Sequence, residues 1–294
     1  MDTDDDDLLR DLGVVVVTYR SAADVAVGLR ALPTDALART VVVDNASDDG
    51  TADAVRALSL PRVEVIENGA NVGFGAACNV GIAALPPTRW LAVVNPDAAA
   101  GRDALVRLLR HLDEHPDVAM VAPRLVRAGR PLRSASPLPT VRSMVRYHLP
   151  RGTKRLLPAA PRVDETTGVV PMVEGACMVF DRGALSSIGG FDERYFLFFE
   201  EADLARRLAA DGRAVALVTE ATVEHGVGRS RDSTPMRSLP FLVESGVRYL
   251  RRWHGPASAR AYATGARAAW RTARLLGQLD GASHRALLAA LRRA

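Results

Sequence analysis

Short apolar runs punctuate the first half of the chain at residues 14–18, 40–44, 63–66, 90–94 and 118–122. They are continuous rather than alternating and rich in β-branched residues, the pattern of strands buried on both faces. Between them lie stretches with the apolar spacing of helices, at 22–32 and 103–111. Residues 51–58 follow Asp48-Asp49-Gly50, whose side chains suit a helix start. This alternation predicts an α/β domain with a mostly parallel central sheet and flanking helices. In such sheets ligands sit beyond the carboxyl ends of the strands.

The rhythm breaks over residues 127–168, where arginines are interspersed with Pro131, Pro137, Pro139, Pro150, Pro158 and Pro161. A segment of this kind inside a domain reads as a lid, a substrate loop or disorder, and we expect an acceptor or lid loop here. A strand is expected again at 169–180, then a helix at 201–210 stopped by Gly212. After His225 the spacing becomes helical at 239–252, 257–276 and 282–293, with breaks at Gly255-Pro256 and Gly281. The predicted organisation is a disordered acidic start (1–11), a globular domain (12–230) and a basic helical C-terminal extension (231–294).

Composition adds bounds. The 294 residues are 48% hydrophobic and 24% charged, enough for a sizeable core. No apolar run approaches the roughly 20 residues needed to span a bilayer, and the acidic start is the opposite of a signal peptide's basic region, so a cytoplasmic location is expected. Cys78 and Cys177 lie in apolar segments and read as buried thiols. Residues 226–294 hold thirteen Arg and no Lys against Asp232, Glu244 and Asp280. That excess suits either an anionic partner or a solvated helical face. Few aromatics interleave with it, so nucleic acid is not the expected partner.

The candidate chemistry begins at Asn95-Pro96-Asp97, directly after the run at 90–94. Proline has no N–H to offer a sheet, so the strand ends there and Asp97 is presented in a crevice. Asp44, at the end of the second run, either reads a nucleoside or caps the turn that follows. The stretch from Asn71 through Gly73, Phe74 and Asn79 to Gly81 opens a helix after a strand, an arrangement serving phosphate binding or tight helix–sheet packing. It lacks the third glycine of the dinucleotide fingerprint, which disfavours hydride transfer. Further on, Asp192, Glu193, Glu200, Glu201 and Asp203 interleave with Phe191, Tyr195, Phe196, Phe198 and Phe199. Burial among rings would raise a carboxylate's pKa toward that of a general base, although acids also favour a helix N-terminus. His225 ends another short run and is either structural or a ligand.

Taken in order, these segments resemble the inverting, family 2 type of glycosyltransferase with a GT-A fold, especially its bacterial rhamnosyltransferase-like branch. The resemblance spans roughly residues 12–230. It is carried by Val15-Val16-Val17-Thr18-Tyr19, by Val43-Asp44-Asn45-Ala46-Ser47 with Asp49-Gly50-Thr51, by Asn71, Gly73-Phe74, Asn79 and Gly81, by Asn95-Pro96-Asp97, by Gly175-Ala176, by Gly189-Gly190-Phe191-Asp192-Glu193, by Phe199-Glu200-Glu201 with Asp203-Leu204, and by His225. Arg20 stands where such proteins usually carry Asn, and Glu201 where they usually carry Asp.

The resemblance implies a nucleotide-diphosphate sugar donor, dTDP-rhamnose favoured, held by Thr18, Tyr19, Asp44, Asn45, Ser47, Asn71, Gly73, Asn79, Asn95 and Asp97. It implies Mg2+ or Mn2+ on Asp97 and His225. Catalysis falls to Glu201, with Glu200 and Asp192 as further candidates, and acceptor contacts to Glu174, Gly175, Phe198 and Asp203. The basic tail suits a glycan or lipid-linked acceptor at the inner face of an anionic membrane, for cell-surface polysaccharide assembly. The chain after His225 lacks the Gln-x-x-Arg-Trp signature of processive synthases, which implies one sugar per encounter. A non-catalytic sugar-nucleotide or glycan-binding protein on the same scaffold is the alternative.

Overall fold

The computed structural model describes residues 3–226 and 235–294. The first half runs α1 (Thr3–Arg10), β1 (Leu12–Thr18), α2 (Val25–Ala31), β2 (Arg39–Asp44), α3 (Thr51–Ala57), β3 (Val63–Glu67), α4 (Phe74–Ala84), β4 (Trp90–Val94), β5 (Ala98–Ala99) and α5 (Arg102–Glu114). Then come β6 (Val118–Arg127), β7 (Arg130–Pro131), β8 (Ala135–Ser136), α6 (Val141–His148) and a 3-10 turn (Lys154–Leu156). The rest comprises β9 (Gly168–Val169), β10 (Met172–Val173), β11 (Cys177–Asp181), α7 (Arg182–Ser187), α8 (Glu200–Ala210), β12 (Ala214–His225), α9 (Pro235–Leu275) and α10 (Gly281–Arg293).

The main sheet has the order β3-β2-β1-β4-β11-β6-β12-β5. Its first four strands are parallel, whereas β11 enters antiparallel between β4 and β6. Period-two alternation divides the strand residues between two cores. Val15 and Val17 face α4 and the helices from α6 onward, and Val14 and Val16 face α1, α2 and α5. Both faces are therefore covered, as continuous apolar strands require. Cys78 and Cys177 are buried free thiols.

Three expectations are corrected. The acidic start is a helix: Leu9 is fully buried, and Asp5 and Asp6 pair with Arg110 and Arg102 of α5. Burying Leu9 and cancelling charge against α5 supplies what a run of acids alone could not. The 127–168 segment contains α6, whose Thr140–Ser143 capping box closes its first turn and whose Met144 joins the core under α9. The single strand expected at 169–180 is three short ones, because residues 172–173 pair with β8 in a separate two-stranded sheet.

The C-terminal helices are an integral wall. α9 kinks at Gly255, where φ is 84°, and both α9 and α10 contribute buried residues to the core beneath α6 and α8. Part of the arginine excess turns inward or is neutralised locally, Arg252 onto Asp192 and Asp203 and Arg293 onto Glu244.

Candidate active site

At the carboxyl ends of β1 and β2, Asp44 is almost fully buried and both its oxygens are engaged. Oδ1 accepts hydrogen bonds from the Thr18 hydroxyl (2.8 Å) and the Ser47 hydroxyl (2.6 Å), and Oδ2 accepts one from the Ser47 amide (2.9 Å). Asp44 thus caps its turn and also ties β2 to β1. Exposed Tyr19 and Arg20 form the rim beside it, and Arg20 reaches Asp48 through two nitrogens at 2.7 and 2.6 Å.

Asn45 is a clip. Its Nδ2 donates to Asn71 Oδ1 (3.0 Å) and to the Gly73 carbonyl (3.1 Å), and its Oδ1 accepts from Asn68 and from the Val72 amide. Asn71 Oδ1 in turn accepts from the Gly73 amide. At Gly73, φ is 92° and a Cβ would lie 2.5 Å from the Phe196 carbonyl, while the Phe74 amide donates to that same carbonyl (2.8 Å). The start of α4 is therefore filled by the chain itself, and the expectation that Gly73 contacts the donor is corrected: the glycine admits Phe196. Asn79 is corrected likewise. It brackets the Phe191 backbone, donating to its carbonyl (2.9 Å) and accepting from its amide (3.0 Å), and it also bonds Glu193.

Asn95-Pro96-Asp97 leaves β4 as the sequence indicates. The Asn95 amide bonds the Ala176 carbonyl, and α2 crosses so close that a Cβ on Gly28 would strike the Pro96 carbonyl. Pairing of His225 with Ala98 across β12 and β5 then brings His225 Nε2 to 3.4 Å from Asp97 Oδ1. Gly28 and the β5–β12 pairing were invisible in the sequence. Among the described residues no third His, Cys, Asp or Glu joins them in a metal-sized group. One carboxylate and one imidazole suit a hard cation that takes its remaining ligands from a diphosphate and water.

A cavity of about 560 Å³ opens beside this pair, lined by Asn95, Glu174, Gly175, Phe198, Glu200, Glu201 and His225 together with Phe74, Leu197 and Arg133. Of the aromatics at 195–199, Phe198 alone is among the cavity residues; Tyr195 is core, and Phe196 stacks on Phe241 of α9 at 4.5 Å. Phe198 and Phe199 both take left-handed backbone, with φ of 71° and 73°. Such geometry costs a side-chain-bearing residue about 1–2 kcal/mol. It is sustained from outside the loop, by the Ser245 hydroxyl on the Leu197 carbonyl (2.9 Å), by the Phe241 stack and by Phe74 on Phe196. The strained turn delivers Glu200 and Glu201 as the first residues of α8.

The two acids differ. Glu200 is buried, its Oε1 has no hydrogen-bond partner, and burial reinforced by Glu201 pushes its pKa far up. Glu201 is half-buried at the cavity, and burial, aided by the charge of Glu174, raises it to about 7. Glu174 is held by the Ser136 hydroxyl (2.6 Å).

Asp192 and Asp203 are corrected away from the cavity. Asp192 accepts from Arg194 (2.8 and 2.5 Å) and from Arg252 (2.5 Å). Asp203 is fully buried and receives Arg207 (2.7 Å), the Trp253 indole (2.9 Å) and Arg252 (3.1 Å). An acid enclosed by two guanidiniums and an indole presents nothing to an acceptor.

Residues 13–189 match the model of glycosyl transferase family 2. The chain belongs to this family, and so is a glycosyltransferase. It is 30% identical over 247 residues to an N-acetylglucosaminyl-diphospho-decaprenol L-rhamnosyltransferase of Mycobacterium tuberculosis, covering 78% of this chain and 80% of that one. A low-salt glycan biosynthesis hexosyltransferase, Agl10 of Haloferax volcanii, is 26% identical, covering 68% of this chain and 62% of that one. Among solved structures, a mannosyltransferase of Pyrobaculum calidifontis in complex with GDP-Man and Mn2+ superposes with a TM-score of 0.58 at 21% identity, covering 97% of this chain and 81% of that one. These structural neighbours establish the GT-A fold.

Proposed function

We propose that the chain transfers L-rhamnose from dTDP-L-rhamnose to a sugar carried on polyprenyl diphosphate, in one displacement that inverts the anomeric carbon, as a step in cell-surface polysaccharide assembly. The observation that carries this reading is Glu201: a cavity carboxylate raised to about 7 by burial can accept a proton from an acceptor hydroxyl near neutral pH. The oxygen so freed attacks the anomeric carbon opposite the diphosphate, the bond to the diphosphate breaks, and no covalent enzyme intermediate is needed. Phe198, Phe74 and Leu197 line the cavity and keep competing water from the donor. Donor residues in this reading are Thr18, Tyr19, Asp44, Ser47 and Asn95 at the strand ends.

Asp97 and His225 would hold Mg2+ or Mn2+. When bound, the cation neutralises charge that builds on the departing diphosphate, stabilising the transition state more than the ground state. The relative's acceptor is lipid-linked. No described helix is long and apolar enough to cross a membrane, so such an acceptor would be met by peripheral contact at the inner face of the membrane.

The test is transfer from dTDP-L-rhamnose to N-acetylglucosaminyl-diphospho-polyprenol by purified protein, with the product's anomeric configuration read by NMR. Inverted product is expected, and Glu201→Gln should lower kcat by about 10²–10⁴ while donor affinity stays within a few-fold. Retained configuration, or an active Glu201→Gln enzyme, would sink the mechanism. Donor binding without transfer to any acceptor would favour the alternative, a non-catalytic sugar-nucleotide-binding protein on the same scaffold.

A further inference from the structure

Arg133 stands at a rim shared by two cavities. On one side lies the cavity of Glu201, and on the other a cleft of about 250 Å³ between α6, α9 and residues 136–139, with Met144, Met172, Phe199, Leu242 and Tyr262 in its walls. The two are linked a second time, because Ser136 of the cleft donates to Glu174 of the cavity.

The cleft is apolar in chemistry as well as shape. Its one histidine, His148, is held down to about 4 by burial and is therefore neutral, with Nε2 2.8 Å from the Tyr262 hydroxyl. Burial likewise keeps Tyr262 protonated. Arg133 is the cleft's one basic side chain. Unlike Arg194, Arg207 and Arg252, which are spent on Asp192 and Asp203, it is exposed and has no ion-pair partner among the described residues. A guanidinium with free donors offers a fork that fits phosphate oxygens in pairs.

Catalytic cavity, guanidinium and apolar cleft therefore follow one another in space. A polyprenyl diphosphate sugar has the matching order of sugar, diphosphate and hydrocarbon. We infer that the cleft receives the first isoprene units of such an acceptor, that Arg133 binds its diphosphate, and that its sugar is thereby aimed at Glu201. The inference rests on the reading of the larger cavity as the acceptor site. It adds a lipid subsite and a specificity residue, and it makes Tyr147, 59% exposed at the cleft mouth, the point where the chain emerges.

Isothermal titration with farnesyl diphosphate and with inorganic diphosphate, both in EDTA so that no cation recruits them to the donor site, tests this without turnover. Farnesyl diphosphate should bind at least tenfold more tightly than inorganic diphosphate. Arg133→Gln should weaken farnesyl diphosphate at least tenfold, and Arg133→Lys should restore part of the loss. Leu242→Glu should erase the advantage of the lipid, and Tyr147→Glu, at an exposed position that tolerates charge, should reduce it even if Leu242→Glu folds poorly. Equal affinity for the two probes, or wild-type affinity in both Arg133→Gln and Tyr147→Glu, would overturn the subsite. Intact farnesyl diphosphate binding without rhamnosyl transfer would instead overturn the proposed reaction and leave the subsite standing.

Discussion

Asp44 and Asp203 are both buried carboxylates, yet they are held in different ways. The partners of Asp44, Thr18 and Ser47, come from the neighbouring parallel strand and the next turn. Those of Asp203 include Arg252 and Trp253, which arrive on α9 some fifty residues later. The donor side is thus built from short-range bonds within the first two strands. The acceptor side closes only when α9 docks. Phe241, Ser245, Arg252 and Trp253 between them fix the 192–203 segment, including the strained turn that presents Glu200 and Glu201.

The sharpest way to break this comparison is Asp203→Ala. It would leave the buried Arg207 without a carboxylate and Arg252 with Asp192 alone, and removing one partner of a buried charge cluster costs about 3–5 kcal/mol. Urea unfolding should show that loss, and intrinsic tryptophan fluorescence should report release of Trp253 in the same transition. Asp44→Asn keeps the shape and part of the hydrogen bonding, so it should cost less stability while weakening the donor. A nearly unaltered urea midpoint for Asp203→Ala, with a raised KM for acceptor, would return Asp203 to the acceptor role first expected of it.

The same contrast governs what was legible in the sequence. The strands at 14–18, 40–44 and 90–94, the helix near 51–58 and the exit at Asn95-Pro96-Asp97 all announce themselves through local composition. The resemblance drawn from their order is upheld by the family match and the GT-A neighbours. The misassigned residues share one physical cause. Asn79, Asp192 and Asp203 are polar groups that each have a partner far along the chain, Phe191 for the first and Arg252 for the other two, and pattern alone cannot tell a side chain aimed at a ligand from one aimed at a distant backbone or arginine. Gly73 belongs with them, since the backbone it admits is Phe196. The helical N-terminus was missed for a related reason: an aspartate-rich run reads as disorder until Asp5 and Asp6 are seen to pair with Arg110 and Arg102 of α5.

The pair Asp97 and His225 spans the two regions, one residue from the β4 exit and the other from the end of β12. If both serve one cation, Asp97→Asn and His225→Ala should each lower Mn2+-dependent donor affinity by about tenfold to a hundredfold. Each should also reduce the thermal shift that dTDP-rhamnose produces with Mn2+, while leaving any cation-independent shift alone. Loss in Asp97→Asn alone would confine ligation to the donor half and leave His225 as the brace of β5 against β12.

The smallest effect concerns the pH dependence of the acceptor half. Glu201 ionises at about 7 in the folded chain against 4.5 when unperturbed, so the folded state holds its proton more tightly than the unfolded state does. Its favourable contribution is complete below about pH 4.5 and is lost as pH rises toward and through 7. Activity runs the other way, because only the ionised form accepts a proton, so kcat should climb with an apparent midpoint near 7. Glu201→Gln removes the titrating group. Wild-type protein should lose about 1 kcal/mol more than the variant between pH 5 and pH 8, a figure reduced from the full shift because the carboxylate still meets water in the cavity. Glu200 is pushed far higher by its burial and by the charge of Glu201, so it keeps its proton while Glu201 titrates, and Glu200→Gln should leave the midpoint of kcat nearly in place. A neutral neighbour has no charge to repel, so burial and the charge of Glu174 are what raise Glu201. A midpoint that falls in Glu200→Gln would mean that Glu200 is ionised beside Glu201, and the strained Phe198-Phe199 turn would then act by pairing two charged acids rather than by enclosing one.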